Sequence, residues 1–287
     1  MRVVIIFSLA ALLCAGMAGI ATAQSQPDQV PQKTSSGANS IQDNSFLIEE
    51  AYNQEAGVVQ HINTFIRQRN GDWTYSFTQE WPAPGLKHQL SYTIPVMGFG
   101  SDSGNRTGLG DIALNYRYQL LGDGDAKVAI APRVSLLVPT GDKKMERGNG
   151  GVGIQFNVPV SILLSPTWVT HSNAGITYTP AASNARNEKG ALRDFNLGQS
   201  FIWLTSPNFN VMLEAAWEST EAIAGPRLRQ RGYGFLLSPG IRWAYNFKSG
   251  LQIVPGIAVP IGLGPSQGER SLFFYLSFEH PFRSKRD

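Results

Sequence analysis

The sequence holds one cysteine, Cys14, and four histidines among its 287 residues. One thiol makes neither an intrachain disulfide nor a multi-thiolate metal site, and His61, His88, His171 and His280 show no metal-ligand spacing. Charge is also scarce, with 16% of residues being Asp, Glu, Lys or Arg, against about 25% in an ordinary soluble domain. Twenty-four basic and 21 acidic residues leave a formal charge of +3, too small to argue for nucleic acid. A mean hydropathy of −0.14 excludes a bundle of transmembrane helices, each of which needs about 20 consecutive apolar residues. What the chain has in quantity is glycine (30 residues) and aromatics, with 15 Phe, 9 Tyr and 6 Trp. These proportions describe a β-rich protein of unusual surface chemistry.

The start of the chain is an address. Met1 and Arg2 precede the apolar residues 3–20, and Ala21-Thr22-Ala23 forms a small-x-small cleavage site before Gln24. Residues 1–23 therefore read as a secretory signal peptide. Leu13 stands directly before Cys14, where lipidation requires a small residue, so a lipoprotein signal is set aside. Residues 24–44 are rich in Gln, Ser, Pro and Asn and cannot offset their ordering entropy by burial, so a disordered periplasmic tail is expected there. Residues 45–56 read as a short docking or plug segment, with 46–55 expected as either one short helix or a docking segment.

From Gly57 onward, runs of 10 to 13 residues keep period two, which places one set of side chains on each face of a sheet. Leu90, Tyr92 and Ile94 alternate with Gln89, Ser91 and Thr93; Leu114, Tyr116 and Tyr118 alternate with Asn115, Arg117 and Gln119; Ile154, Phe156 and Val158 alternate with Gln155 and Asn157. Twelve such segments are expected, at about 57–68, 72–82, 87–99, 109–121, 127–139, 152–164, 167–179, 195–205, 209–219, 233–247, 251–262 and 271–282. The first is the least regular. Each can cross a membrane, since a tilted transmembrane strand needs about 9 to 11 residues. From the second strand on, connections alternate short and long, the long ones covering 100–108, 140–151, 180–194, 219–232 and 262–270. Tyr and Trp fall toward strand ends, as interfacial girdles require.

The expected fold is an all-β, up-and-down antiparallel transmembrane β-barrel of about 12 strands, over residues 57–282, with short periplasmic turns, long outer loops and a C-terminal tail at 283–287. Its place is the outer membrane of a Gram-negative bacterium, after cleavage near Ala23. If the apolar face meets lipid, the lumen is lined by Glu80, Asp111, Asn115, Arg117, Arg133, Gln155, Asn157, His171, Asn173, Glu214, Arg242, Gln252 and Glu279. Their mixed signs suit either a transverse field that orients a permeant or internal salt bridges that close the lumen. Lys143, Lys144 and Arg147 in one outer loop, and Arg227, Arg229 and Arg231 in another, are candidates for lipopolysaccharide phosphates. Prolines inside strands (Pro95, Pro132, Pro159, Pro239, Pro255, Pro281) mark bulges or a lateral exit.

Enzyme-like signals are weak. Residues 170–175 (THSNAG) are similar to the His-x-Ser-Asn site of lipid A deacylases, yet adjacent His171 and Ser172 point to opposite faces of a strand. Gly148, Gly150 and Gly153 satisfy G-x-G-x-x-G, but a strand follows instead of a helix.

Four stretches carry a family resemblance: 44–62 (NSFLIEEAYNQEAGVVQHI), 108–121 (GLGDIALNYRYQLL), 131–142 (APRVSLLVPTGD) and 148–161 (GNGGVGIQFNVPVS). They resemble the outer-membrane transporter family named after the MetA pathway of phenol degradation, over about residues 44–282. The resemblance implies an outer-membrane barrel that transports small organic compounds, aromatic or hydrophobic ones included. From the residues, the chain is expected to be no enzyme and to need no cofactor, with outer-membrane lipid and lipopolysaccharide, the barrel-assembly machinery and a small-molecule permeant as partners and no nucleic acid. The alternatives carried forward are a deacylase-like barrel enzyme and a closed structural or adhesive barrel.

Overall fold

The computed structural model describes residues 41, 45–100, 107–123 and 126–282. The signal peptide, nearly all of the 24–44 tail and the 283–287 tail lie outside the described residues.

Sixteen strand segments build twelve antiparallel staves. In chain order they are β1 (Val58–Gln68), β2 (Trp73–Pro82), β3 (His88–Gly98), β4 (Gly108–Leu109), β5 (Ile112–Tyr118), β6 (Val128–Ile130), β7 (Arg133–Val138), β8 (Gly153–Ser165), β9 (Trp168–Ser183), β10 (Lys189–Ser206), β11 (Phe209–Gly225), β12 (Leu228–Trp243), β13 (Tyr245–Asn246), β14 (Gln252–Ala258), β15 (Ile261–Gly262) and β16 (Ser271–Pro281). Four staves are made of two segments each: β4 with β5, β6 with β7, β12 with β13, and β14 with β15. Each sequential neighbour pairs, and β1 pairs β16 over all eleven of its residues. The sheet is thus a closed barrel with no free edge. The irregular-looking first strand is laddered to β16 along its whole length and to β2 from Gln60 to Arg67.

Three of the four interrupted staves have an identifiable cause, because a proline offers no N–H to the ladder. The break between β4 and β5 faces Pro95, whose carbonyl accepts from Gly110 at 2.8 Å. Pro159 faces the break between β6 and β7 and accepts from Ala131 at 3.2 Å, and Pro239 faces that between β14 and β15 and accepts from Val259 at 3.0 Å. The wall bulges at these points and stays hydrogen-bonded.

Outward faces carry the apolar side chains, among them Leu90, Leu114, Val134, Ile154, Phe156, Leu213 and Phe274, all exposed. On β9, Trp168 and Tyr178 both face outward, ten residues apart. At about 3.3 Å per residue and a tilt near 40°, that separation is about 25 Å along the barrel axis, the height of an outer-membrane barrel's apolar band. Trp168 stacks on Trp203 at 6.1 Å in one girdle, and Trp217 meets Tyr233 at 6.4 Å in the other.

Two expected loops are largely strand. β9 and β10 extend to Ser183 and from Lys189, and β11 and β12 leave only Pro226 and Arg227 between them. Residues 219–232 lost their hydrophobic alternation because their outward face rises past the apolar band and becomes charged, while the backbone ladder continues. Arg229 and Arg231 therefore belong to a strand and not to a loop.

Candidate functional site

Residues 45–55 form no helix. They run as an extended strap through the barrel, with Phe46, Ile48, Ala51 and Tyr52 buried. An extended chain in a lumen cannot satisfy its own backbone, so each donor needs a partner from the wall. Inward side chains supply them. Glu214 Oε1 accepts from the amides of Leu47 (2.9 Å) and Ile48 (3.2 Å). Asn173 Oδ1 accepts from Glu49 N at 2.9 Å, Ser161 Oγ from Ala51 N at 2.8 Å, Gln119 Oε1 from Asn53 N at 3.0 Å and Gln89 Oε1 from Gln54 N at 2.8 Å. These partners come from different staves, so the strap crosses the half of the lumen next to the short turns. At its entry, Ser45 Oγ donates to Ser200 Oγ at 3.0 Å. Ile41, expected in a disordered tail, is buried beside the same wall, its amide donating to Pro207 O at 3.3 Å.

Phe46 is the apolar anchor. Its ring packs 5.5 Å from Phe273 and 5.4 Å from Tyr275, inside a cluster that includes Ile62, Ile202, Met212 and Val254. Glycine makes room for it, since a Cβ on Gly240 or Gly256 would stand 2.6 or 2.5 Å from the ring.

Arg117 is the polar clamp. Buried to 2% exposure, it donates to Asn53 Oδ1 (3.1 Å), Glu50 O (3.0 Å) and Tyr52 O (2.6 Å), and pairs with Glu49 at 3.2 Å. Arg133 Nε lies 2.9 Å from the other oxygen of Glu49, while its terminal nitrogens donate to Asn115, Ser135 and Gln155. Asn157 Nδ2 donates to Glu49 at 2.9 Å as well. One strap carboxylate is thus held by two guanidinium groups and a carboxamide, the arrangement a buried charge requires. Burial and the neighbouring Glu50 carboxylate push the Tyr52 hydroxyl up to about 12 against the lowering effect of its bond to Ser161, so Tyr52 stays a neutral phenol.

The remaining sequence candidates fall as follows. Glu80 accepts from Gln89 at 2.7 Å and stands 4.0 Å from Arg117; Glu279 accepts from Gln60 at 2.9 Å. Arg242 and Gln252 are buried, Arg242 opposite Asn210 in register. Asp111 is different: it accepts from Gly141 and Asn149, both at 2.9 Å, and ties the outer connection 139–152 to the rim. Gly148 gives that carboxylate its seat, since a Cβ there would meet Asp111 Oδ1 at 2.2 Å; the glycine motif is packing. Lys143 donates to Ser183 at 2.8 Å and Arg147 stands 3.8 Å from Asp142, whereas Lys144 and Arg227 are exposed.

His171 and Ser172 do point apart. His171 Nδ1 contacts Ser161 Oγ at 2.7 Å, and Ser172 donates to Gln199 at 2.7 Å. Ser161 is occupied by the strap amide of Ala51, so this Ser–His contact positions backbone. The sequence reading missed one histidine pair: His61 and His280 meet across β1 and β16, Nε2 to Nε2 at 3.1 Å. Only barrel closure brings them together. Among the described residues no group of three His, Cys, Asp or Glu could hold a metal ion.

Beside the strap lies a cavity of about 190 Å³, bounded by residues 45–49 and by β1, β2, β3, β5, β7 and β16. Phe46, Ile62 and Tyr275 give it apolar walls; Thr64, Thr78 and Thr93 add hydroxyls.

A family model described as "Putative MetA-pathway of phenol degradation" matches residues 32–262. The chain belongs to this family. Among solved structures, the COG4313 outer membrane channel from Pseudomonas putida F1 is 10% identical with a TM-score of 0.57, covering 80% of this chain and 97% of that one. The NanC porin is 8% identical with a TM-score of 0.51, covering 76% and 98%. No curated protein sequence matches the chain. The chain is an outer-membrane, porin-like β-barrel, and these two structural relatives are a channel and a porin.

Proposed function

We propose that the chain is a channel for passive uptake of small organic compounds, whose lumen the strap holds shut at its periplasmic half. The observation that carries this reading is the cavity of about 190 Å³ between strap and wall. A cavity of about 150 Å³ accommodates benzene, so one substituted ring fits. Its lining mixes Phe46, Ile62 and Tyr275 with three threonine hydroxyls and the charged Glu49, Glu80 and Arg133, which suits a small aromatic compound bearing a polar group. The family's link to phenol degradation and the channel named among the structural relatives support the same reading. In it, Glu80, Asn115, Arg117, Arg133, Gln155, Asn157, Asn173 and Glu214 seat the strap, His171 holds the Ser161 hydroxyl that accepts from it, and Arg242 and Glu279 set the charge of the passage beside it. Maturation involves cleavage near Ala23 and insertion by the barrel-assembly machinery.

A liposome-swelling assay tests it. Proteoliposomes in small phenols or aromatic acids swell faster than empty liposomes, and solutes larger than one ring do not accelerate swelling. Rates equal to those of empty liposomes, for the native chain and for a strap-weakened variant alike, would favour the closed structural barrel that the many strap bonds also suit.

A further inference from the structure

The outward face of β10, β11 and β12 continues past the Tyr178–Phe195–Tyr233 girdle. Directly above it stand three guanidinium groups. Arg193, in register with Tyr178, lies over that ring at 5.9 Å, and Arg231 lies over Phe195 at 5.6 Å. Arg229, one strand step further out, crosses the bare face of Gly190, where a Cβ would collide with the guanidinium, and donates to the carbonyls of Ala191 (3.1 Å) and Lys189 (3.3 Å). Glu221 pairs with Arg231 and accepts from the Arg193 amide at 2.8 Å. Three guanidinium groups thus stand on a single patch of wall, with the Glu221 carboxylate paired to Arg231.

Their height is set by the girdles. The two aromatic rows bracket an apolar band of about 25 Å, so these arginines lie at the headgroup level of the outer leaflet, not in open solvent. A guanidinium on a ring face is oriented by it; Arg231 also donates to Ser219, Glu221 and the Arg193 carbonyl, and Arg229 to three carbonyls, and the five N–H donors of each group leave others for an oxyanion. We infer that Arg193, Arg229 and Arg231 form a wall-borne binding site for a phosphate of lipopolysaccharide, with the lipid's acyl chains against the apolar band below. The inference rests on the membrane placement of the barrel and is independent of what crosses the lumen. It adds a wall-borne contact beside the loop cations Lys143, Lys144 and Arg147.

The full chain in detergent is titrated with bis-phosphorylated lipid A, with the same lipid after removal of both phosphates, and with inorganic phosphate, reading the shift of the heat-modifiability midpoint. The phosphorylated lipid raises the midpoint saturably and the other two do not. Arg193→Ala/Arg229→Ala raises the lipid concentration for half-effect about 10-fold or more, as expected when charge-assisted contacts to phosphate are lost. Arg193→Lys/Arg229→Lys recovers part of it. Equal shifts from dephosphorylated lipid A overturn the proposal on the native chain alone, whatever the variants do. A shift by inorganic phosphate alone, or an unchanged half-effect in a folded double alanine variant, overturns it too.

Discussion

Phe46→Ala isolates the strap from the barrel, because Phe46 belongs to the segment and not to any stave. In the native chain the ring is 7% exposed and contacts Phe273 and Tyr275 at 5.5 and 5.4 Å over two glycines. Truncating a buried Phe costs about 3 to 5 kcal/mol. Here water entering the vacated lumen space recovers part of that, leaving about 2 to 3 kcal/mol against docking, or about 30- to 150-fold in the ratio of released to seated strap. The wall keeps its ladder, so heat-modifiability stays native. Single-channel recording in planar bilayers reads the consequence: the open-time fraction rises by about that factor, and Phe46→Leu falls between the two. An unchanged open fraction in a folded Phe46→Ala protein would refute the claim that this ring seats the closing element. A fall in barrel stability equal to the whole cost would refute the separation of strap from wall.

Two further outcomes follow from the same contacts. Arg117→Ala removes four contacts to the strap, leaves Glu49 with Arg133 and Asn157 and raises open probability as Phe46→Ala does; charge-assisted bonds of about 1.5 to 3 kcal/mol each set the scale, read in the same bilayer assay. Asp111→Ala leaves conductance unchanged and frees the connection 139–152, which becomes the first site cut by external protease on intact cells; resistance equal to the native chain would contradict the stapling role.

How much of this was legible depends on the kind of signal. Period two sorted wall from lumen, because a one-residue error would reverse every side chain, and Asn115, Arg117, Gln155 and Asn157 declare their side on that basis alone. What those residues hold was not legible. Glu214 reaches Leu47 across 167 residues and Asn173 reaches Glu49 across 124, and no local pattern in residues 45–55 says that wall carboxamides will satisfy the strap's backbone. Gly240 and Gly256 look like ordinary strand glycines until Phe46 is seen above them. The extensions of β9 to β12 were hidden for another reason: above the lipid, alternation between apolar and polar faces is no longer required, so a strand there reads as a charged loop. The His61–His280 contact exists only because the first and last strands pair.

The most direct test of the closing strap is a reversible lock. Ser45 and Ser200 hydroxyls are 3.0 Å apart, near enough for a disulfide after Ser45→Cys/Ser200→Cys, and the chain's own cysteine, Cys14, falls in the segment expected to be cleaved as a signal peptide. Single-channel conductance of this variant is recorded oxidised and then reduced in the same bilayer. The account predicts silence under oxidation and return of solute-sensitive openings on reduction. Equal conductance in the two states would contradict it.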